Sequence, residues 1–165
     1  MSSINFSYKW DKPTYLKAAK VAYDYEFKNS KKRYIGFFFI ALTQFGVVAM
    51  FKKGAPGLLL ISTFLVLYWY FLRWKLREAT IKKAFDKLPN ANMQYSVKVD
   101  DSGISINSQT IKWDDIIKVV SLSDGVLIYT KDNFFFFPAN AFKSLEDKNS
   151  FSKLAKANAQ NYIKV

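Results

Sequence analysis

The sequence predicts an α+β membrane protein: a two-helix transmembrane hairpin, then a small antiparallel β domain with a C-terminal helix. Three observations predict it. Residues 34–51 carry no charge, and beyond Lys52 and Lys53 residues 54–72 carry none either. Such stretches read as spanning helices, because about 20 residues at 1.5 Å rise cross a ~30 Å hydrocarbon core. From residue 94 on, the pattern changes to short β-branched and aromatic runs separated by turn residues. Beyond Ser144 it returns to a helical period.

Taken in order, residues 4–10 place Ile4, Phe6, Tyr8 and Trp10 in alternation with Asn5, Ser7 and Lys9. Period two with bulky side chains is a half-buried strand. A lone strand needs a sheet to join, and the strand-rich region lies only after residue 94. Asp11-Lys12-Pro13 reads as a helix start, with Asp11 as cap and Pro13 in the first turn. Tyr15, Ala18, Ala19, Ala22 and Tyr25 share one face of that helix, which runs to about Asn29. The N-terminus has no apolar core of its own, so it does not read as a cleaved signal peptide; the first span acts as the insertion signal.

The two spans, 34–51 and 54–72, are joined by Lys52-Lys53-Gly54-Ala55-Pro56. Gly and Pro break the helix there, and the lysines hold the turn in water. Neither stretch has the polar stripe of a helix in a soluble protein. Beyond the second span Trp74, Ile81, Phe85 and Leu88 continue an apolar stripe that Pro89-Asn90 ends. Strands follow at about 94–99, 104–107, 110–113, 116–122, 126–130 and 134–137. Ser144 and Asp147 form a variant capping box for the last helix, with Phe151, Leu154, Ala155 and Tyr162 on one face. The chain thus divides into 1–33 (strand and amphipathic helix), 34–72 (hairpin), 73–93 (juxtamembrane helix extension) and 94–165 (β domain).

Composition narrows the chemistry. There is no cysteine and no histidine, which removes disulfides, thiolate sites, the commonest general base and the commonest metal ligand. No catalytic, cofactor-binding or metal site is predicted. Of the net charge of +12, residues 1–93 carry +11, from 16 Lys/Arg against 5 Asp/Glu. A nucleic-acid binder would spread or stripe that charge; here it flanks the spans. Lys31, Lys32, Arg33, Arg73, Lys75 and Arg77 are predicted at the membrane surface, facing anionic lipids. The flanks outnumber the two lysines of the turn, so the positive-inside rule places both termini in the cytoplasm. Tyr68, Trp69, Tyr70, Phe71 and Trp74 form the aromatic belt at that interface.

Other residues are candidates by position. Gln44, the one amide in the spans, lies nine residues before Lys53, and Ser62 nine after. In an antiparallel hairpin Gln44 should meet Ser62 or Thr63 and pin the helices, with Gly46 and Ala49 allowing close approach. Phe134, Phe135, Phe136 and Phe137 form a run in one strand, two facing the core and two outward; the outward pair is a candidate partner contact. Asp114-Asp115 reads as a turn or cap, because there is no histidine and no third acidic residue close in sequence, and Asp100-Asp101 beside Gly103 reads as a turn.

Residues Ile111-Lys112-Trp113-Asp114-Asp115-Ile116-Ile117-Lys118-Val119, Val126-Leu127-Ile128-Tyr129 and Phe137-Pro138 with Phe142 resemble the YcxB-like family of small bacterial membrane proteins. Ser144, Glu146, Asp147 and Phe151, and the order of parts, extend the resemblance. It implies a pleckstrin-homology-like (PH-like) fold for 94–165. One departure stands out: the family often has a basic residue after the proline, and here Ala139-Asn140-Ala141 follows Pro138. The function expected is that of a non-enzymatic, multi-pass bacterial inner-membrane protein. It presents a cytoplasmic PH-like domain to another protein or to a second copy of itself. The alternative is an immunity protein that protects against a membrane-active toxin.

Overall fold

The computed structural model describes residues 3–165; Met1 and Ser2, at the start of the predicted 1–33 segment, lie outside the described residues. The chain is α+β and divides into two units: Met1–Ala18 with Leu88–Val165, and Ala19–Lys87. The sheet domain is therefore not the contiguous segment 94–165. The N-terminal strand belongs to it, and the hairpin is inserted after that strand.

In the first unit β1 (Ile4–Lys9), β2 (Gln94–Asp100), β3 (Gly103–Ile106) and β4 (Gln109–Lys112) form one antiparallel sheet in that order. The alternation of β1 is realised as strict burial of Ile4, Phe6 and Tyr8 and exposure of Asn5, Ser7 and Lys9. β1 pairs with β2 along its whole length, Ile4 opposite Val99 and Lys9 opposite Gln94. The second sheet contains β5 (Ile116–Leu122), β6 (Gly125–Thr130), β7 (Phe134–Pro138) and β8 (Tyr162–Lys164), in the order β7-β6-β5-β8. Its strands are antiparallel except β8, which lies parallel to β5.

The inner faces of both sheets and α5 (Leu145–Asn158) enclose one core. Phe6, Phe137, Phe142 and Phe151 lie at its centre: the Phe6 and Phe142 rings are 4.6 Å apart and Phe137 meets Phe151 edge-on at 6.1 Å. Offset and edge-on rings are the favourable arrangements of aromatic quadrupoles. Trp113, buried in the turn before β5, donates its indole N–H to the Asp100 carbonyl at 2.9 Å. This bond satisfies the one polar atom of a large core side chain. Ser144 caps α5 by accepting from the Asp147 N–H at 3.0 Å. That helix stops at Asn158, so Tyr162 is not on its face. Ala159 turns to extended backbone and the chain re-enters the sheet as β8, an edge position that burial of β5 favours over one more helical turn.

The second unit holds residues 19–28 of α1 (Lys12–Lys28), a 3₁₀ turn (Lys31–Tyr34), α2 (Ile35–Lys53), α3 (Gly57–Leu67), a π-helical turn (Tyr68–Leu72) and α4 (Arg73–Phe85). Counting the flanking turns, two continuous helices, Lys31–Lys53 and Gly57–Phe85, are long and apolar enough to cross a membrane. Gly54 ends the first in the left-handed region (φ 61°), its N–H bonded to the Met50 carbonyl, a conformation glycine adopts without a Cβ clash. The two helices touch through glycine. A Cβ on Gly46 would lie 2.7 Å from the Leu59 Cα, inside contact distance of backbone. The helical stripe that the sequence carries to Pro89 stops at Phe85. Turns follow, with Asn92 at φ 63°.

Candidate functional site

The hairpin unit carries a cation–aromatic cluster at the end of its second apolar stretch. Tyr23 and Phe27 are one turn apart on α1 and stack nearly parallel, 6.3 Å between centroids and 6° between planes. Trp69, in the π-helical turn, meets Phe27 at 6.1 Å and Phe39 at 5.7 Å. Arg73 lies among these rings: its guanidinium carbon is 4.1 Å from the Phe27 centroid, 4.2 Å from Trp69 and 5.1 Å from Tyr23. Arg77, four residues on, lies 5.0 Å from Tyr23, and the Lys20 ammonium lies 4.7 Å from Trp74. Contacts within about 6 Å of a ring centroid are attractive, and more so where water is excluded.

The backbone explains the placement. Arg73 donates its N–H to the Tyr68 carbonyl, five residues back. The wider π turn inserts an extra residue into the helical register, a distortion concentrated at functional sites. Gly36 makes room for it: a Cβ there would lie 2.6 Å from the Tyr70 hydroxyl and 2.8 Å from the Trp69 ring. The cluster borders a hollow of about 720 Å³, whose charged side chains are Lys32, Arg73, Arg77 and Glu26. Tyr23 lines the hollow, while its hydroxyl is buried away from it with no hydrogen-bond partner, a state that costs about 1–3 kcal/mol.

Of the other cations predicted at a membrane surface, Lys31, Lys32 and Lys75 are exposed. Arg33 is engaged locally: it donates to the Lys28 carbonyl at 3.1 Å and to the Tyr34 hydroxyl at 2.6 Å. Six sequence candidates therefore have different surroundings, and Arg73, Arg77 and Lys32 are the three brought to one hollow. Tyr23 and Phe27 were not among the candidates. Their i, i+4 spacing on α1 was the signal, hidden because the helix's alanine-rich face dominated the periodicity.

The expected pin, Gln44 meeting Ser62 or Thr63, has two arms that differ in their surroundings. Ser62 is buried, but its hydroxyl donates to the Leu59 carbonyl of its own helix at 3.1 Å. Gln44 is exposed and lines a small hollow with Ile40, Thr43, Val47, Thr63 and Val66. Gly46 against Leu59 puts Gln44 level with Ile61 rather than Ser62, and of the two expected partners it is Thr63 that shares Gln44's hollow.

In the sheet domain, the four phenylalanines do not form an exposed pair. Phe137 is buried in the core between the sheets. Phe136, opposite Leu127 on the other face, is 1% exposed, and Phe135 is half-buried. Only Phe134 is exposed, at 44%. It borders a groove of about 440 Å³ with Trp10, Tyr95, Asn90 and Gln109. Trp10 and Tyr95 meet edge-on at 6.1 Å, and Asn90 donates to the Tyr95 hydroxyl at 2.6 Å. Asp100 is held in its turn by Ser102, whose hydroxyl and N–H both donate to it, and its carboxyl is kept below the usual carboxylate range by those bonds.

Neither the curated proteins nor the solved structures contain a match to the chain. Residues 99–155 match the family described as YcxB-like protein. The match runs from the end of β2 through β7 into α5, within the sheet domain, and includes Trp113, Phe137, Pro138, Phe142 and Phe151 of the core. Over residues 99–155, about a third of its length, the chain is therefore similar to the YcxB-like protein family.

Proposed function

We propose that this chain is a non-enzymatic protein of the bacterial inner membrane, both termini cytoplasmic, that presents a PH-like sheet domain for protein–protein interaction. Two sheets closed by a C-terminal helix suit a PH-like description. The hairpin's surface supports insertion: Phe37, Phe38, Phe45, Leu60, Ile61 and Phe64 are each at least 60% exposed. A soluble monomer rarely exposes an apolar patch beyond a few hundred Å², and lipid is the solvent in which this surface costs nothing.

The observation that carries the interaction reading is the groove beside Phe134. It offers an exposed phenylalanine, the rings of Trp10 and Tyr95, and side-chain amides for orientation. Trp and Tyr dominate interface hot spots because they bury much area at little entropic cost. The test is a photo-crosslinking side chain at Phe134 in the full chain, in its own membrane. A discrete adduct, lost when Trp10 is changed to Ala, is expected; the same crosslinks from Lys112, on β4 away from the groove, would overturn the reading.

A further inference from the structure

We propose that the hollow beside Arg73 is a discrete binding site for the phosphate of an anionic phospholipid, taken from the bilayer in which the hairpin sits. The proposal rests on the membrane reading above and goes beyond it. A diffuse positive surface would need no particular residues, whereas this site is built.

The charged residues that line the hollow are three cations, Lys32, Arg73 and Arg77, and one carboxylate, Glu26. Among the described residues neither Arg73 nor Arg77 has a carboxylate within ion-pair distance. The guanidinium of Arg73 is covered by the Phe27 and Trp69 rings at 4.1 and 4.2 Å. Rings over the guanidinium fix its orientation and leave its N–H groups, which lie in its own plane, to donate. A planar fork of that kind matches two oxygens of a phosphate, in charge-assisted bonds about twice as strong as neutral ones.

One further feature points to the same occupant. Ile35 and Leu76, both exposed, border the same hollow, so apolar surface continues from the charged rim. Charge beside apolar surface suits an amphiphile, with its headgroup on the arginines and its chain along the helices. A free anion would use only the first. The volume, about 720 Å³, is within the range of small-molecule sites.

The test uses the full chain in detergent, followed by native mass spectrometry during titration with phosphatidylglycerol and, separately, phosphatidylcholine. One phosphatidylglycerol should bind with clear preference, and Arg73→Gln with Arg77→Gln should weaken it about tenfold or more. Arg73→Lys keeps the charge but loses the fork and should also weaken binding. Lys75→Gln, outside the hollow, should leave it unchanged. Circular dichroism keeps misfolded variants out of the comparison. Equal affinity for the two lipids, or equal loss with Lys75→Gln, would overturn the site. So would displacement by millimolar inorganic phosphate, which would make the ligand a free anion. Release of the unmodified chain from vesicles by an alkaline wash is a separate result: it would sink the membrane reading itself.

Discussion

Tyr8 is a residue whose burial has a pH consequence. Its phenol is pushed well above the ordinary value of 10.0, first by desolvation and then by the neighbouring Tyr95. The folded chain therefore keeps a proton that the unfolded chain releases near pH 10. The stability linked to Tyr8 is complete below that pH and falls as pH rises above it, by about 1.4 kcal/mol per pH unit. Urea unfolding between pH 9 and 11.5 should show this slope, and Tyr8→Phe should flatten it; an unchanged slope would remove Tyr8 as the cause. Gly46 makes the same kind of argument sterically. Any Cβ there meets the Leu59 backbone, which cannot move aside as a side chain could. Gly46→Leu should cost about 1–3 kcal/mol of hairpin stability, read as a lowered melting temperature in detergent. Gly57→Ala is the control, since nothing lies within 4 Å of the added methyl.

Among the elements, β1 has the largest consequence for its length. Six residues contribute Ile4, Phe6 and Tyr8 to a core whose other strands lie after residue 93. Phe6→Ala should cost about 3–5 kcal/mol, enough to unfold a marginally stable domain. Tryptophan fluorescence, through Trp113 and Trp10, reports it; a loss under 1 kcal/mol would mean that the sheet domain holds without β1. The caps are smaller tests of the same logic. Ser144→Ala should remove about 1 kcal/mol from α5, because the Asp147 N–H loses its acceptor.

At the scale of the whole molecule, the hairpin reading is a statement about sidedness. Lys28, Lys31, Lys32 and Arg33 precede the first apolar stretch and Arg73, Lys75, Arg77, Lys82 and Lys83 follow the second, against Lys52 and Lys53 in the turn. Cysteines introduced singly at Ala55 and Val165 of this cysteine-free chain should label from opposite sides of intact inner-membrane vesicles. Equal labelling of both by an impermeant reagent would contradict the topology.

The sequence by itself determined the parts. Charge-free length marked the two long helices, strict alternation marked β1, and turn residues marked the strands after residue 94, because periodicity and chain-breaking are local properties. It also supplied the chemistry that is missing, since a chain without cysteine or histidine cannot place either. Only the tertiary structure decided what those parts share. β1 found its partner across the inserted hairpin, Phe136 was buried where alternation alone would leave it outside, and Tyr162 left the helix for the edge of β5. Arg73, Phe27 and Trp69 converged through a π-helical turn that no local pattern announces. The physical reason is common to all of these. Burial and cation–aromatic contact are settled by which surfaces meet, and residues distant in sequence meet only once the chain has folded.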